Sequence, residues 1–287
     1  MNFSNILSEI EKVDPEIYDK LSPRRKVMQQ FTNLGGKLAL AAIPMALGSM
    51  FKKAGAQSTS DIVGVLQFAL QLEVLESEFY KRAVSNPTAL QANGLTAAGL
   101  AAITTIRDHE IAHVNFLRTA ISSLGSTPNT SYNLDFSGGG SAAMTGPYAN
   151  VFTNYTTFLA VAQTFEDTGV RAYKGQAGVL IPNNDVITAA LQIHSVEARH
   201  AAHIRYMRRN ATSTPNLTIK PWITGNSTAG APSSVQAAYN GEEVTTQAGF
   251  NIVGIGGTSV SSSAASEAFD EPLNKTQVTA IVGPFFY

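Results

Sequence analysis

Cysteine is absent from the 287-residue chain. That excludes disulfides, thiolate zinc sites, iron–sulfur clusters and cysteine nucleophiles. Any bound metal must draw on histidine and carboxylate, donors that suit iron, manganese or zinc better than softer ions. Charge is also sparse, at 14% of residues with a formal net charge of −1. No basic stripe or block of one sign marks nucleic acid or an anionic membrane surface as a partner. Long uninterrupted apolar runs are scarce too. The stretch Leu34 to Phe51 is broken by Lys37 and is short for a membrane-spanning helix. The 44% of hydrophobic residues is enough to bury a full core, in one large domain or two small ones.

Residues 1–33 are polar and contain Arg24-Arg25 after Ser22-Pro23. The apolar stretch follows, then Lys52-Lys53 and the small-residue run Ala54-Gly55-Ala56 before Gln57. A basic region, an apolar region and an A-x-A ending are the parts of an export signal. The paired arginines give it a Tat-type look, although Pro23 and the residues after Arg25 fit that pattern imperfectly. The expectation is an export signal and linker over residues 1–56, which places the protein in the periplasm or cell envelope. The rivals are an ordinary helix at 34–51 and an uncleaved N-terminal anchor.

Four segments then carry helical periodicity: about Ile62 to Val84, Thr96 to Leu124, Asn150 to Gly175, and Asn183 to Arg209. In the first, Val65, Leu66, Ala69, Leu72 and Leu75 recur at three- and four-residue steps. Asn86-Pro87, Gly125 and Pro182 punctuate the set. Short links pair the first segment with the second and the third with the fourth, whereas a Gly-, Ser- and Asn-rich stretch separates the pairs. A helix of this size spans roughly 40 Å, and such a stretch can run its full length. Two antiparallel hairpins joined by one long crossover are expected over residues 57–210, giving an all-α core. Residues 211–287 shift to Thr, Ser, Gly, Asn and Pro. They are expected to form an irregular extension packed on the bundle, with some β at Leu217–Ile219 and Phe250–Ile255 and a helix at Glu271–Val282.

All five histidines, His109, His113, His194, His200 and His203, fall in the second and fourth segments. Each of those segments holds Glu-x-x-His: Glu110 with His113, and Glu197 with His200. Three residues advance about 300° around a helix, so each pair sits about 60° apart on one face and can address the same ion. The first and third segments hold Glu-x6-Tyr instead: Glu73 with Tyr80, and Glu166 with Tyr173. Seven residues return to within about 20° of the start, so glutamate and tyrosine share a face two turns apart. Their neighbours are largely apolar, where an unpaired carboxylate is costly. The halves repeat one chemistry in one order, and a pseudo-twofold bundle would bring four carboxylates and two imidazoles together. A buried polar network without metal is the competing reading. Glu76 can replace or supplement Glu73, though a solvated or supporting place suits it better. Asp108 and Asp167 are candidates for orienting the histidines or for the surface, and His203 for an exposed position.

Leu72-Glu73-Val74-Leu75-Glu76-Ser77-Glu78-Phe79-Tyr80, His109 to Val114, Phe165 to Val170 and Val196 to Ala201 resemble the ferritin-like superfamily. Within it, they are most similar to bacterial exported ferritin-like proteins of the desiccation-related type, over about residues 60–209. The resemblance implies a ferritin-like four-helix bundle with two iron ions, or alternatively two manganese ions. Glu110 and Glu197 would bridge them, Glu73 and Glu166 would each cap one, and His113 and His200 would each ligate one. Tyr80 and Tyr173 would orient carboxylates and donate electrons, or serve as plain core aromatics. Dioxygen or peroxide would be the co-substrate, through ferroxidase, peroxidase or manganese-catalase-like chemistry. Without cysteine, rubrerythrin-type electron transfer through a thiolate-bound iron needs an external donor. The extension and the export signal depart from a minimal cage subunit, although a homo-oligomer is compatible with the pattern. The competing class is non-enzymatic: a structural or stress-protective bundle whose site is a staple or empty.

Overall fold

The computed structural model describes residues 58–287 apart from 213 and 256–258. The expected export signal over residues 1–56 lies outside the described residues. Among those described, no helix is long and apolar enough to cross a membrane.

Four helices of 26 or 27 residues dominate: α1 (Thr59–Ser85), α3 (Ala97–Ser123), α4 (Tyr155–Leu180) and α5 (Asn184–Arg209). A short α2 (Thr88–Ala92) sits in the link between α1 and α3. Each long helix starts on a polar cap that satisfies otherwise orphaned N–H groups. Ser58 closes a capping box with Asp61, while Thr96, Asn154 and Asn183 accept from Gly99, Thr157 and Val186. α1 packs on α3, α4 packs on α5, and α1 meets α4 to join the two hairpins. Residues 124–154 form the crossover.

The third helix departs from expectation at both ends. It begins at Tyr155 because the Asn154 side chain caps it, and it runs through Gly175 to Leu180. Gly175 is not a stop. Any β-carbon there would collide with the backbone of Leu273, so the glycine lets the C-terminal extension press against the helix.

Two apolar clusters occupy opposite ends of the bundle. One gathers Ile62, Leu66, Leu70, Leu117, Ile121, Leu180 and Ile193. The other gathers Phe79, Ile103, Ile106, Phe158, Phe165, Ile204 and Met207. On all four helices the turns between them carry Glu73, Glu110, Glu166 and Glu197, each with no solvent exposure.

Residues 211–287 hold a 3-10 turn (Ser233–Ala238), a two-stranded antiparallel sheet (β1 Thr246–Gln247, β2 Phe250–Asn251), and α6 (Ser262–Ser266). α7 (Lys275–Val282) and a second 3-10 turn (Gly283–Phe285) complete them. The expected helix thus begins at Lys275, where Asn274 and Gln277 form a capping box. Leu217–Ile219 is a turn rather than a strand, because the Asn216 side chain accepts from the Thr218 N–H and hydroxyl. The extension is anchored by the buried Arg171 of α4, which donates to the carbonyls of Glu271, Ala238 and Asn240 and pairs with Glu242 at 2.7 Å.

Candidate metal centre

The structure brings Glu73, Glu110, His113, Glu166, Glu197 and His200 together at mid-bundle. They fall into two groups of four, each with ligand-type atoms within 4.8 Å of one another. Glu73, Glu110, His113 and Glu197 make one, and Glu110, Glu166, Glu197 and His200 the other, so both groups share Glu110 and Glu197. The two shared residues come from the Glu-x-x-His helices α3 and α5; α1 and α4 contribute one glutamate each.

Atomic detail gives the sharing a direction. His113 Nδ1 lies 3.0 Å from Glu73 Oε2, 3.2 Å from Glu110 Oε2 and 3.3 Å from Glu197 Oε1. His200 Nδ1 lies 2.8 Å from Glu110 Oε1 and 3.3 Å from Glu166 Oε2. Glu110 therefore turns one oxygen to each imidazole. In the second group, Glu110 Oε1, Glu166 Oε2, both Glu197 oxygens and His200 Nδ1 are buried without a hydrogen bond. Buried polar atoms are ordinarily paired, and orphaned ones are costly. His200 Nδ1 and Glu110 Oε1 lie 2.8 Å apart, yet neither makes a hydrogen bond. This donor set of carboxylate oxygens and imidazole nitrogens fits hard or borderline divalent metals.

The electrostatics agree. Burial, reinforced by the charge of Glu110, pushes Glu73 up to about 8. Burial beside the other carboxylates pushes Glu197 and Glu76 well above the usual range, and raises Glu166. Burial also opposes charge on Glu110, but the hydrogen bond with His113 and the nearby charge of His200 outweigh it and hold the group at about 2. His200 is held up at about 11, where Glu166 and Glu110 overcome burial. Without a cation, protons keep this carboxylate cluster together.

The two tyrosines cross between halves. Tyr80 of α1 donates to Glu166 Oε1 of α4 at 2.5 Å, and Tyr173 of α4 donates to Glu73 Oε1 of α1 at 2.5 Å. Each therefore holds the glutamate of the opposite Glu-x6-Tyr helix, and both are buried. Of the two places open to Asp108 and Asp167, beside the histidines or at the surface, Asp108 takes the surface and Asp167 takes neither. Asp108 is exposed and pairs with its neighbour Arg107, and Asp167 is buried in a pair with Arg205 at 2.6 Å. The outer nitrogen of His200 meets another imidazole instead, His109 Nδ1, at 3.0 Å. His203 is exposed against Tyr206. Glu76 is not solvated: it is 4% exposed, because α1 is covered on every side over Leu72 to Ser77.

Four long helices around a buried, twofold-repeated set of carboxylates and imidazoles define a helical bundle whose centre could hold metal ions. A family model described as a ferritin-like domain matches residues 61–210, more than half of the sequence, and the chain belongs to that family. Comparison with curated proteins yields no match.

Proposed function

We propose that the chain is a dinuclear metal oxidoreductase that reacts with dioxygen or peroxide, holding two iron ions or, alternatively, two manganese ions. The observation that carries this is the division of six buried carboxylate and imidazole side chains into two fours that share Glu110 and Glu197, with five of their polar atoms buried and without a hydrogen bond. Glu110 and Glu197 would bridge, Glu73 and Glu166 would cap, and His113 and His200 would ligate through Nδ1. Four carboxylates balance the charge of two divalent ions, which removes the penalty of burying either set alone. Two redox ions held by these residues would supply the two electrons that reduction of dioxygen to peroxide, or of peroxide to water, requires. The protein positions the donors: Tyr80 and Tyr173 fix the two capping glutamates through their hydroxyl hydrogens, and the apolar clusters on either side exclude bulk water. An electron donor outside the chain sustains turnover in ferroxidase- or peroxidase-type cycles. Export directed by residues 1–56 is part of the same proposal.

Purified protein loaded with iron or manganese should consume peroxide, or oxidise ferrous iron in the presence of oxygen, faster than Glu197→Ala. If loaded protein does neither while metal removal lowers the unfolding temperature, the centre is a structural staple of a non-enzymatic, stress-protective bundle.

A further inference from the structure

Outside the central layer, α1, α3 and the crossover frame an open cleft of about 530 Å³. α1 contributes Glu78, Lys81 and Arg82, which three- and four-residue steps bring to one side of the helix. α3 contributes Arg118, and the crossover contributes Tyr132 and Phe136. Three cations thus stand with one acid, leaving two positive charges on a chain whose formal net charge is −1.

The cations are poorly matched within the protein. Lys81 takes up Glu78 at 2.7 Å, but both side chains are nearly half exposed, where such a pair is worth little. Arg82 lies over the Phe152 ring, 4.8 Å from its centre, and has no carboxylate partner among the described residues. Arg118 is the sharper case, because its Nε–H is buried and donates to nothing. Buried donors are ordinarily paired, and one on a charged group is costly to leave without an acceptor. Burial raises the Tyr132 hydroxyl above its usual range while the charge of Arg118 opposes the rise, so the guanidinium acts on the crossover wall.

These features describe a ligand. Guanidinium forks match carboxylate and phosphate oxygens, and a cleft lined by one sign of charge concentrates the opposite sign. Positive groups on two different helices call for an anion with more than one charged group. The volume lies within the roughly 300–1,000 Å³ of small-molecule pockets, and Tyr132 and Phe136 offer aromatic surface to a carbon skeleton. We propose that this cleft binds a small organic anion carrying two or more carboxylate or phosphate groups, with Arg118 and Arg82 as its main contacts. The proposal is independent of the metal centre, whose residues take no part in it.

Calorimetric titration of the full-length protein tests it with three probes: tricarballylate, fructose bisphosphate and inorganic phosphate. Wild type should bind at least one of the two organic anions more tightly than inorganic phosphate, and which one binds identifies the charged group. Arg118→Gln and Arg82→Gln should each weaken that binding about tenfold or more, the scale of losing a hydrogen bond to a charged group. Glu78→Gln should tighten it by about two- to fivefold, because it removes a competing acid and releases Lys81. Arg209→Gln, outside the cleft, should leave it unchanged. Circular dichroism checks folding, and the exposed Arg82 carries the test if Arg118→Gln does not fold. Wild type that binds neither organic anion overturns the proposal, as does unchanged binding in the folded arginine variants. Inorganic phosphate binding as tightly as both organic anions overturns it too.

Discussion

At the scale of the residue, the central claim is a division of labour among six ligands, and it orders their mutants. A shared carboxylate serves both ions, whereas a capping one serves a single ion. Glu110→Ala and Glu197→Ala should therefore each empty the site, while Glu73→Ala and Glu166→Ala should each leave about one ion per chain, as counted by elemental analysis. Equal losses from all four would remove the bridging assignment. Gly169→Ala separates stability from binding. Alanine is the better helix former by about 0.5–1 kcal/mol, and the groups in its way are the movable ends of Glu197 and Glu76. The metal-free variant should be at least as stable as wild type by thermal unfolding, yet hold less metal.

Proton linkage gives a second test at this scale. In the metal-free protein Glu73 titrates at about 8, far above its unfolded value near 4.5. A raised carboxyl keeps its proton in the folded state, so its contribution to stability is lost as pH rises from the unfolded value through the folded one. His200, raised to about 11, contributes stability that is present below its unfolded value near 6.5 and lost as pH climbs toward 11. Glu110, held at about 2, has its full contribution above about 4.5 and does not change across this window. The unfolding temperature of metal-free protein should therefore fall between pH 5.5 and 8.5. Metal competes with the same protons, so the gap between loaded and metal-free protein should widen over that range. A metal-free unfolding temperature that rises with pH contradicts the assignment of these charges.

At the scale of the element, much was legible in the sequence because helix geometry is local. The seven-residue spacing of Glu73 to Tyr80 and Glu166 to Tyr173, and the three-residue spacing within each Glu-x-x-His, put those side chains on one face of any α-helix. What lay between elements was not legible in that way. Glu76 read as solvated or supporting, and the solvated alternative fails because α1 is covered not on one face but by α3, by α4 and by the crossover aromatics Phe136 and Phe152, which meet Phe79. The third segment read as ending near Gly175 because that glycine's role depends on the backbone of Leu273, 98 positions away. The crossing of each tyrosine to the opposite glutamate is likewise a property of the α1–α4 contact.

That contact has a flank whose energetics can be measured. Arg171 of α4 ties the extension down through three carbonyls and Glu242, with both charged groups 1% exposed. Removing one partner leaves the other charge buried and alone. Arg171→Met should lower the unfolding free energy by roughly 3–5 kcal/mol in denaturant titrations. Restoring neutrality with Glu242→Gln in the same chain should recover part of it. A loss below about 1 kcal/mol would mean that the extension is held by apolar contacts instead.

At the scale of the whole molecule, the bundle is two similar hairpins whose apolar ends flank a buried polar middle. The polar layer between the two apolar clusters is where α1, α3, α4 and α5 each direct a carboxylate inward. A cation that binds only the folded chain stabilises it by mass action, about 4 kcal/mol at a thousandfold excess over its dissociation constant. On the proposed reading the fold and the chemistry are coupled: the same residues that would carry redox chemistry are those whose mutual repulsion a bound metal would relieve. The most direct measurement is metal per chain after anaerobic loading of metal-free protein with ferrous iron or manganese(II) and removal of the excess. Two ions per chain for wild type and none for Glu197→Ala is the expected result. One ion or none in wild type, with either metal, would contradict a dinuclear centre built on Glu110 and Glu197.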